Sequence, residues 1–380
     1  MKVYLDNNAT TPVDPRVIEA MLVALQKHFG NPASATHAWG WEAEALVEIA
    51  REAVASCIGA AKEEIVFTSG ATEALGLAIQ GLAAAGPKRM LCTTIEHKAV
   101  LDNLWLLKRK GFSIEFIPVD KEGCVDISTL EMLLKQPTRL TCIIGANNEI
   151  GTTQDLSAIG ALCRKHNSLL LADLVQATGK IAFNVGALPV DLAAFSAHKI
   201  YGPKGCGALF IRRQVIPEIE PMLVGGGHER NLRSGTLNVP GIVGFGKAAA
   251  LVKSELREIQ LHLNTLTQRL LIKLRAEIPA IVLNGSSTSR IPGNLSLSLP
   301  KADAVKILSK LASSVALSAS SACLSGSKTG SHVLKAIALT EAQQRSTIRL
   351  GIGRFNTVEE IDYAAERIVN AYRAATCVSA

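Results

Sequence analysis

Residues 64–73 read EIVFTSGATE, a short and largely apolar run that leads directly into a helix-forming segment. The apolar run predicts a buried strand, and the small and hydroxyl residues after it predict the start of a helix. The same alternation recurs between about residues 40 and 250. Further strands are predicted at residues 89–93, 113–119, 141–145, 169–172, 192–196 and 208–211, with helices at residues 41–58, 100–110, 127–134 and 156–166. Buried strands alternating with helices indicate an α/β fold with a large, doubly wound, mostly parallel sheet covered on both faces.

The pattern changes after Pro240. Residues 243–278 predict one long charged helix that leads into a second unit, with strand-like runs at residues 294–299, 314–317 and 347–350 and a last helix at residues 358–375. The first eleven residues precede the alternating pattern, so we expect them to pack with this second unit. We therefore predict a large domain at residues 12–256 and a small α+β domain formed by residues 1–11 and 257–380.

The composition is that of a soluble globular protein, with 48% hydrophobic and 19% charged residues in a chain of 380. The net charge of +7 comes from scattered basic residues, which indicates a solvated surface and no direct nucleic-acid binding. No apolar run approaches the roughly 18 residues of a membrane span. The N-terminus lacks a secretory signal, so we expect a cytosolic protein. Its eight cysteines show no metal-site spacing, and we expect free thiols and no metal.

Lys199 follows the apolar run at residues 191–195 and lies among a serine, a histidine and several glycines. A lysine that forms a Schiff base must lose its proton near neutral pH, which desolvation or a neighbouring cation achieves. The glycines let the backbone turn sharply beside a bulky cofactor. The alternative is an ordinary exposed loop lysine, and the local sequence alone does not exclude it.

Asp173 ends the apolar run at residues 169–172, and Gln176 follows three residues later. An acid at the C-terminal end of a buried strand faces the ligand crevice of an open α/β sheet. In a pyridoxal enzyme such an acid keeps the ring nitrogen protonated. The alternative is an N-cap of the following helix.

The turn at residues 68–73 is a candidate phosphate site. Backbone N–H groups at a helix N-terminus attract anions, although such turns also cap ordinary helices.

Three further residues carry chemistry that suits such a site. His97 lies between a strand and a helix, where its imidazole can stack on a planar cofactor or transfer protons, although a single histidine is often structural. Asn148 follows a strand, and its amide can bind a phenolic oxygen or simply form a turn. Arg349 is a cation inside an apolar segment, which indicates either a substrate carboxylate or a structural ion pair.

Cys323 lies in a run of small, hydroxyl and charged residues that cannot bury a thiol well. An exposed thiol on a polar loop is available as a nucleophile, and Lys328 and His332 lie close enough in the sequence to favour the thiolate. A loop also lets the thiol move between an active site and a partner. The alternative is an incidental surface cysteine.

Taken in order from residues 4–12 through to Arg349, these motifs resemble the cysteine desulfurases of the nitrogen-fixation and iron–sulfur-cluster type. The resemblance covers nearly the whole chain and implies the pyridoxal-phosphate-dependent transferase fold, called fold-type I, in a homodimer. It implies that the enzyme takes sulfur from L-cysteine, releases L-alanine and carries a persulfide on Cys323. The sulfur would then pass to an acceptor protein of iron–sulfur cluster assembly or tRNA thiolation.

The resemblance also implies roles for individual residues. Lys199 would form the Schiff base with pyridoxal phosphate, and Asp173 would pair with the pyridinium nitrogen. Gln176 and Asn148 would lie at the phenolic oxygen, and His97 would stack on the ring face. The phosphate would be bound by Ala71, Thr72, Ser196, His198 and the other subunit's Thr236. Arg349 and Asn148 would bind the substrate carboxylate, with Lys199, His97 and Cys323 as catalytic groups.

Two departures from the family pattern stand near these residues. Leu174 stands after Asp173 where the family usually has an alanine, which suggests a slightly different position for the cofactor ring. Ser320 replaces a common glycine in the Cys323 loop. Two alternative functions also remain at this stage: a pyridoxal-dependent aminotransferase or selenocysteine lyase that does not use Cys323, and a non-catalytic sulfur carrier or scaffold that presents it.

Overall fold

The computed structural model describes residues 1–319 and 330–376. In chain order its strands are β1 (Val3–Tyr4), β2 (Ile65–Thr68), β3 (Arg89–Thr93), β4 (Ser113–Ile117), β5 (Leu140–Ile144), β6 (Leu169–Asp173), β7 (Leu192–Ser196), β8 (Gly207–Ile211), β9 (Val282–Leu283), β10 (Asn294–Ser298), β11 (Val315–Ala316), β12 (Ser318–Ala319) and β13 (Thr347–Gly351). Its helices are α1 (Pro15–Lys27), α2 (Ala38–Ile58), α3 (Ala71–Gly81), α4 (Lys98–Arg109), α5 (Ile127–Leu134), α6 (Leu156–Lys165), α7 (Val239–Glu277), α8 (Ala304–Leu311), α9 (His332–Ala336), α10 (Glu341–Arg345) and α11 (Val358–Thr376).

Within the described residues the large sheet has seven strands in the order β2-β8-β7-β6-β5-β3-β4. β8 runs antiparallel to both of its neighbours, and the other directly paired strands are parallel. Apolar side chains from α2, α5, α6 and α7 pack with one face of the sheet, and those from α3 and α4 pack with the other. The α/β fold with a mostly parallel, doubly covered sheet is therefore confirmed.

Helix α7 is 39 residues long, which corresponds to about 58 Å. Its first half packs with the large sheet through residues such as Phe245, whereas Ile259 to Leu274 pack into a second apolar cluster. That cluster also contains Val3 and Leu5, and it covers an antiparallel sheet in the order β12-β13-β10-β9. The domain boundaries near residues 11 and 256 stay a prediction. Among the described residues, no helix combines the length and the apolarity needed to cross a membrane.

The segment at residues 6–11, called here the N-terminal segment, connects the two clusters. The backbone N–H of Asn7 donates to the carbonyl of Gly351 at 3.0 Å, at the end of β13. Further along, the N–H of Thr11 donates to the carbonyl of His198 at 3.1 Å, next to β7. These bonds hold the carbonyl groups between them beside the carboxyl ends of the central strands.

Gly207, the first residue of β8, allows a close backbone approach that shapes the same region. A Cβ atom at this position would lie 2.6 Å from the Cα atom of Gly70. Only glycine fits such a contact, so this residue lets the turn before α3 lie directly against the sheet. The N-terminus of α3 is thereby placed next to the end of β7.

A buried ion pair holds the loop at residues 225–236. Glu229 and Arg51 are 6% and 4% exposed, and their closest oxygen and nitrogen atoms are 2.7 Å apart. The Glu229 carboxylate also accepts the backbone N–H of Phe67 at 2.7 Å, which ties the loop to β2. Because Glu229, Arg230 and Asn231 all have positive φ values of 47° to 66°, these contacts must stabilise a backbone conformation that side chains disfavour.

Candidate active site

A cavity of about 590 Å³ opens at the carboxyl ends of β5, β6 and β7. This is the edge of the sheet where ligands of open α/β folds bind. Ten of the residues singled out from the sequence line it: Ala71, Thr72, His97, Asn148, Asp173, Gln176, Ser196, His198, Lys199 and Arg349. The structure therefore brings together residues that are as far as 278 positions apart in the chain.

Lys199 ends a single 3-10 turn, Ala197–Lys199, that begins directly after β7. Its Nζ atom donates to the carbonyl oxygens of Asn8 and Ala9 at 2.7 and 2.6 Å. Burial, aided by the positive charge of Arg349, lowers the pKa of Lys199 to about 8. A substantial fraction of this amine is therefore neutral, and nucleophilic, near physiological pH.

Asp173 is the last residue of β6 and is only 5% exposed. Its Oδ1 atom accepts the backbone N–H of Val175 at 3.0 Å, and burial raises the pKa of the carboxyl group. Turns rather than a helix follow the strand, so the N-cap alternative is wrong for this residue. Among the described residues Val175 is the only donor to this carboxyl group, which can therefore accept a further hydrogen bond from a ligand.

The N-terminus of α3 faces the cavity with its first N–H groups uncapped. Gly70 is the N-cap and offers no side-chain oxygen, so in the described structure the N–H groups of Ala71 and Thr72 have no protein acceptor. Glu73 is turned aside, because its carboxylate accepts the N–H of Ser69 at 2.7 Å and pairs with Arg233 at 2.7 Å. These free donors and the helix dipole suit a phosphate group.

Two histidines line the same cavity in a neutral form. His97 is the N-cap of α4, and its Nδ1 atom accepts the N–H of Ala99 at 3.1 Å, which leaves the proton on Nε2. Although solvent reaches the ring through the cavity, partial burial lowers the pKa of His97. Burial lowers the pKa of His198 to about 4, and its Nδ1 atom lies 3.1 Å from Oγ1 of Thr10.

Arg349 lies in β13 and lines the cavity. Its guanidinium group pairs with Asp6 at 3.0 Å and donates to Oγ of Ser318 at 3.2 Å. It also donates to the backbone carbonyl of Asn148 at 3.4 Å. The structural ion pair considered from the sequence is thus present, and it holds the guanidinium group where a carboxylate ligand can reach it.

Sequence reasoning missed three residues of this site. The carbonyl groups of Asn8 and Ala9 contact Lys199, but carbonyl groups leave no residue-type signal. Lys180 is 7% exposed and bonds to Gln176 directly behind the cavity wall. Its position four residues after Gln176 is the only signal in the sequence that links the two.

The remaining expectations fall outside the cavity. Thr236 lies in a separate groove beside Phe29 at the end of α1. Leu174 points into the core, where it closely approaches Gly145, so it does not shape the cavity wall. Cys323 and Ser320 lie outside the described residues.

The cysteines that the structure describes are poor nucleophiles. Burial raises the pKa of Cys57 to about 11 and the pKa values of Cys163 and Cys206 to about 12. The pKa values of Cys92, Cys124 and Cys142 are also raised by burial. Among the described residues, no three His, Cys, Asp or Glu side chains are grouped so as to hold a metal ion.

Comparison with known proteins connects this cavity to one family. The family model for class-V aminotransferases matches residues 3–364. Cysteine desulfurase IscS of Anaeromyxobacter sp. (strain K) is 46% identical over 366 residues, which cover 95% of this chain and 90% of that protein. Cysteine desulfurase of Mus musculus is 43% identical over 370 residues, which cover 97% of this chain and 80% of that protein.

Solved structures agree with this relationship. A NifS-like protein superposes with a TM-score of 0.92 at 38% identity, covering 98% of this chain and 100% of the other. SspA in complex with cysteine superposes with a TM-score of 0.81 at 32% identity, covering 94% and 100% of the two chains. The chain therefore belongs to the class-V aminotransferase family, among its cysteine desulfurases.

Proposed function

We propose that the protein is a cysteine desulfurase that uses pyridoxal phosphate to move sulfur from L-cysteine to Cys323 and then to an acceptor protein. The observation that carries this proposal is the convergence of Lys199, Asp173 and Arg349 on one cavity. The Lys199 amine, with a pKa of about 8, suits reaction with an aldehyde. The buried Asp173 carboxyl group suits a ring nitrogen, and the Arg349 guanidinium group suits a carboxylate.

The residues of the cavity fit pyridoxal phosphate. The uncapped N–H groups of Ala71 and Thr72, with Ser196 and His198 nearby, would hold the phosphate. Asp173 would accept the ring N–H in its buried setting, and Lys199 would bind the cofactor covalently. When bound, the cofactor supplies an electron-withdrawing ring that weakens bonds at the substrate α-carbon.

The protein's own groups would orient and deprotonate the substrate. Asp6 and Ser318 already hold the Arg349 guanidinium group toward the cavity, so it can bind a carboxylate without a large rearrangement. Lys199 Nζ would take the α-proton, a role that its lowered pKa of about 8 supports. His97 has its Nδ1 atom occupied, which leaves its Nε2–H as a proton donor or ring contact.

Sulfur transfer would follow at Cys323. The Cys323 thiolate forms a bond to the substrate sulfur while the bond from that sulfur to the substrate β-carbon breaks. The electron pair of the broken bond stays with the substrate, and protonation of the β-carbon gives the methyl group of alanine. The enzyme then carries a persulfide, which a thiol reduces to sulfide when no acceptor protein is present.

The proposal is tested by supplying L-cysteine and a thiol reductant to the protein reconstituted with pyridoxal phosphate. We expect alanine and sulfide to form in equal amounts, because each breakage of the carbon–sulfur bond yields one of each. Alanine is measured by chromatography and sulfide by a colorimetric assay. Transamination would instead yield a keto acid without sulfide, and a non-catalytic carrier would yield neither product.

Cofactor uptake should depend on pH through Lys199. Because only the neutral amine attacks an aldehyde, the rate of cofactor binding to the apo-protein should rise with pH and level off above a midpoint near 8. Stopped-flow absorbance of pyridoxal phosphate mixed with the apo-protein measures this rate. A rate that keeps rising to the ordinary lysine pKa of about 10.4 would contradict the lowered value.

We further propose a cytosolic homodimer in which Thr236 reaches the cavity of the other subunit. Thr236 lies outside its own subunit's cavity, on a loop that also exposes Met222, Leu223 and Val224. Exposed apolar side chains in one place are typical of an interface between protein chains. Each cysteine in the described part of the chain is a free thiol, as suits a reducing compartment.

A further inference from the structure

Lys180 is a buried lysine whose ammonium group, among the described residues, donates only to neutral side chains. Its Nζ atom donates to Oε1 of Gln176 at 2.7 Å and to Oδ1 of Asn8 at 3.2 Å. The residue is 7% exposed, and no carboxylate in the described part of the chain pairs with it. Lys180 takes no part in the proposed desulfurase reaction.

Keeping an ammonium group in such a place is unfavourable for the protein. A buried cation without a counter-charge loses its hydration, and the nearest charged groups, Lys199 and Arg349, repel it. Burial together with these two cations lowers the pKa of Lys180 to about 7. An anion that binds beside it would favour the charged form, and the cavity in front of Gln176 is where such an anion would bind.

Lys180 and the backbone carbonyl of Asn8 together determine which way the Gln176 amide points. An ammonium group can only donate hydrogen bonds, so the amide oxygen must face Lys180. The amide nitrogen then faces the other way and donates to the carbonyl of Asn8 at 2.8 Å. Because Gln176 lines the cavity, the second N–H of this nitrogen remains for a ligand. Without Lys180 the amide oxygen loses this partner, and only the bond to the Asn8 carbonyl holds the amide in this orientation.

We propose that Lys180 is a positioning residue that acts through the Gln176 amide to stabilise a negatively charged ring oxygen of the bound cofactor. This inference rests on the proposed use of pyridoxal phosphate. The other charged or titratable side chains around this end of the cavity are Asp6, His97, Asp173, Lys199 and Arg349. They remain unchanged in the variants below, so a difference between variants reports the Lys180–Gln176 pair.

The test is a pH titration of the visible absorbance of the reconstituted protein. Removing a positive charge makes the cofactor–lysine group hold its proton more tightly, so Lys180→Met should raise the titration midpoint by about 1 pH unit. Lys180→Gln keeps a donor but loses the charge, and it should raise the midpoint by a smaller amount. If Lys180 acts through the amide, Gln176→Ala should give a shift like that of Lys180→Met, and the double variant should shift no further.

Gln260→Met is the matched control, because Gln260 donates to the backbone carbonyl of Lys180 at 3.0 Å and does not touch its side chain. Its midpoint should equal that of the unmodified protein. Equal midpoints for all Lys180 variants, or shifts that add in the double variant, would overturn the inference. If Lys180→Met does not fold, an unshifted Lys180→Gln overturns it equally. Absence of a visible band in the unmodified protein would contradict the proposed function itself. Unshifted variants of a coloured protein would contradict only the role of Lys180.

Discussion

Replacement of Lys199 by alanine is expected to abolish the visible absorbance of bound cofactor and to lower alanine formation by on the order of 10³-fold or more. Two tasks would be lost together, since in the proposed function Lys199 Nζ both binds the cofactor covalently and takes the α-proton. Lys180 cannot take over these tasks, because its ammonium group is bonded to Gln176 and Asn8 behind the cavity wall. Absorbance spectra after reconstitution and chromatographic measurement of alanine give the two readouts.

Lys165→Ala is the control for this experiment. Lys165 lies at the end of α6 with its side chain 61% exposed, and it forms a surface ion pair with Glu131. Its removal should leave colour and alanine formation unchanged, because exposed pairs of this kind contribute little to stability. A Lys199→Ala protein that stays coloured and active would place the covalent attachment elsewhere and overturn the assignment of the cavity.

Replacement of Cys323 by serine is expected to reduce sulfide release from cysteine by on the order of 10²-fold or more, with the cofactor spectrum unchanged. A serine hydroxyl is not ionised near neutral pH and cannot attack the substrate sulfur. The described thiols cannot replace it, because burial holds the pKa of Cys57 near 11 and that of Cys163 near 12. Sulfide assays at saturating cysteine, with spectra recorded on the same samples, separate loss of sulfur transfer from loss of cofactor.

Cys377→Ser provides the matched control, since Cys377 is the other thiol outside the described residues. It should release sulfide at the rate of the unmodified protein. Full sulfide release by Cys323→Ser would contradict the sulfur chemistry, although the cavity and its cofactor assignment would stand. If Cys377→Ser lost activity as well, the site of the persulfide would need to be mapped directly by mass spectrometry.

Much of the fold was predictable because its strands are short apolar runs separated by helices. Strands β3 and β7 and helix α5 have the predicted bounds, and the other predicted elements of the large sheet begin and end within a few residues of the prediction. The antiparallel direction of β8 was not predicted, since the direction of a strand depends on its partners and not on its own pattern. The close approach of Gly207 to Gly70 is likewise a property of two segments that meet only in the folded chain.

The site was predictable where a functional residue follows a strand. Asp173 and Lys199 follow apolar runs, and the carboxyl ends of such strands meet at one edge of the sheet. The contacts that hold these groups were not predictable, because their partners are distant in sequence. Asp6 pairs with Arg349 across 343 residues, and Lys180 reaches Asn8 across 172 residues. Burial of Lys180 was hidden as well, since lysine is normally exposed.

The N-terminal segment has a consequence for how the protein is made. Its residues are synthesised long before β13, yet Asp6 and Asn7 bind to that strand. The carbonyl groups of Asn8 and Ala9 therefore reach Lys199 in their final arrangement only after β13 has been synthesised. A chain interrupted before Arg349 would hold the large sheet without a finished cavity. Firm retention of the proposed cofactor would then require β13, and a product that ends before this strand would be inactive.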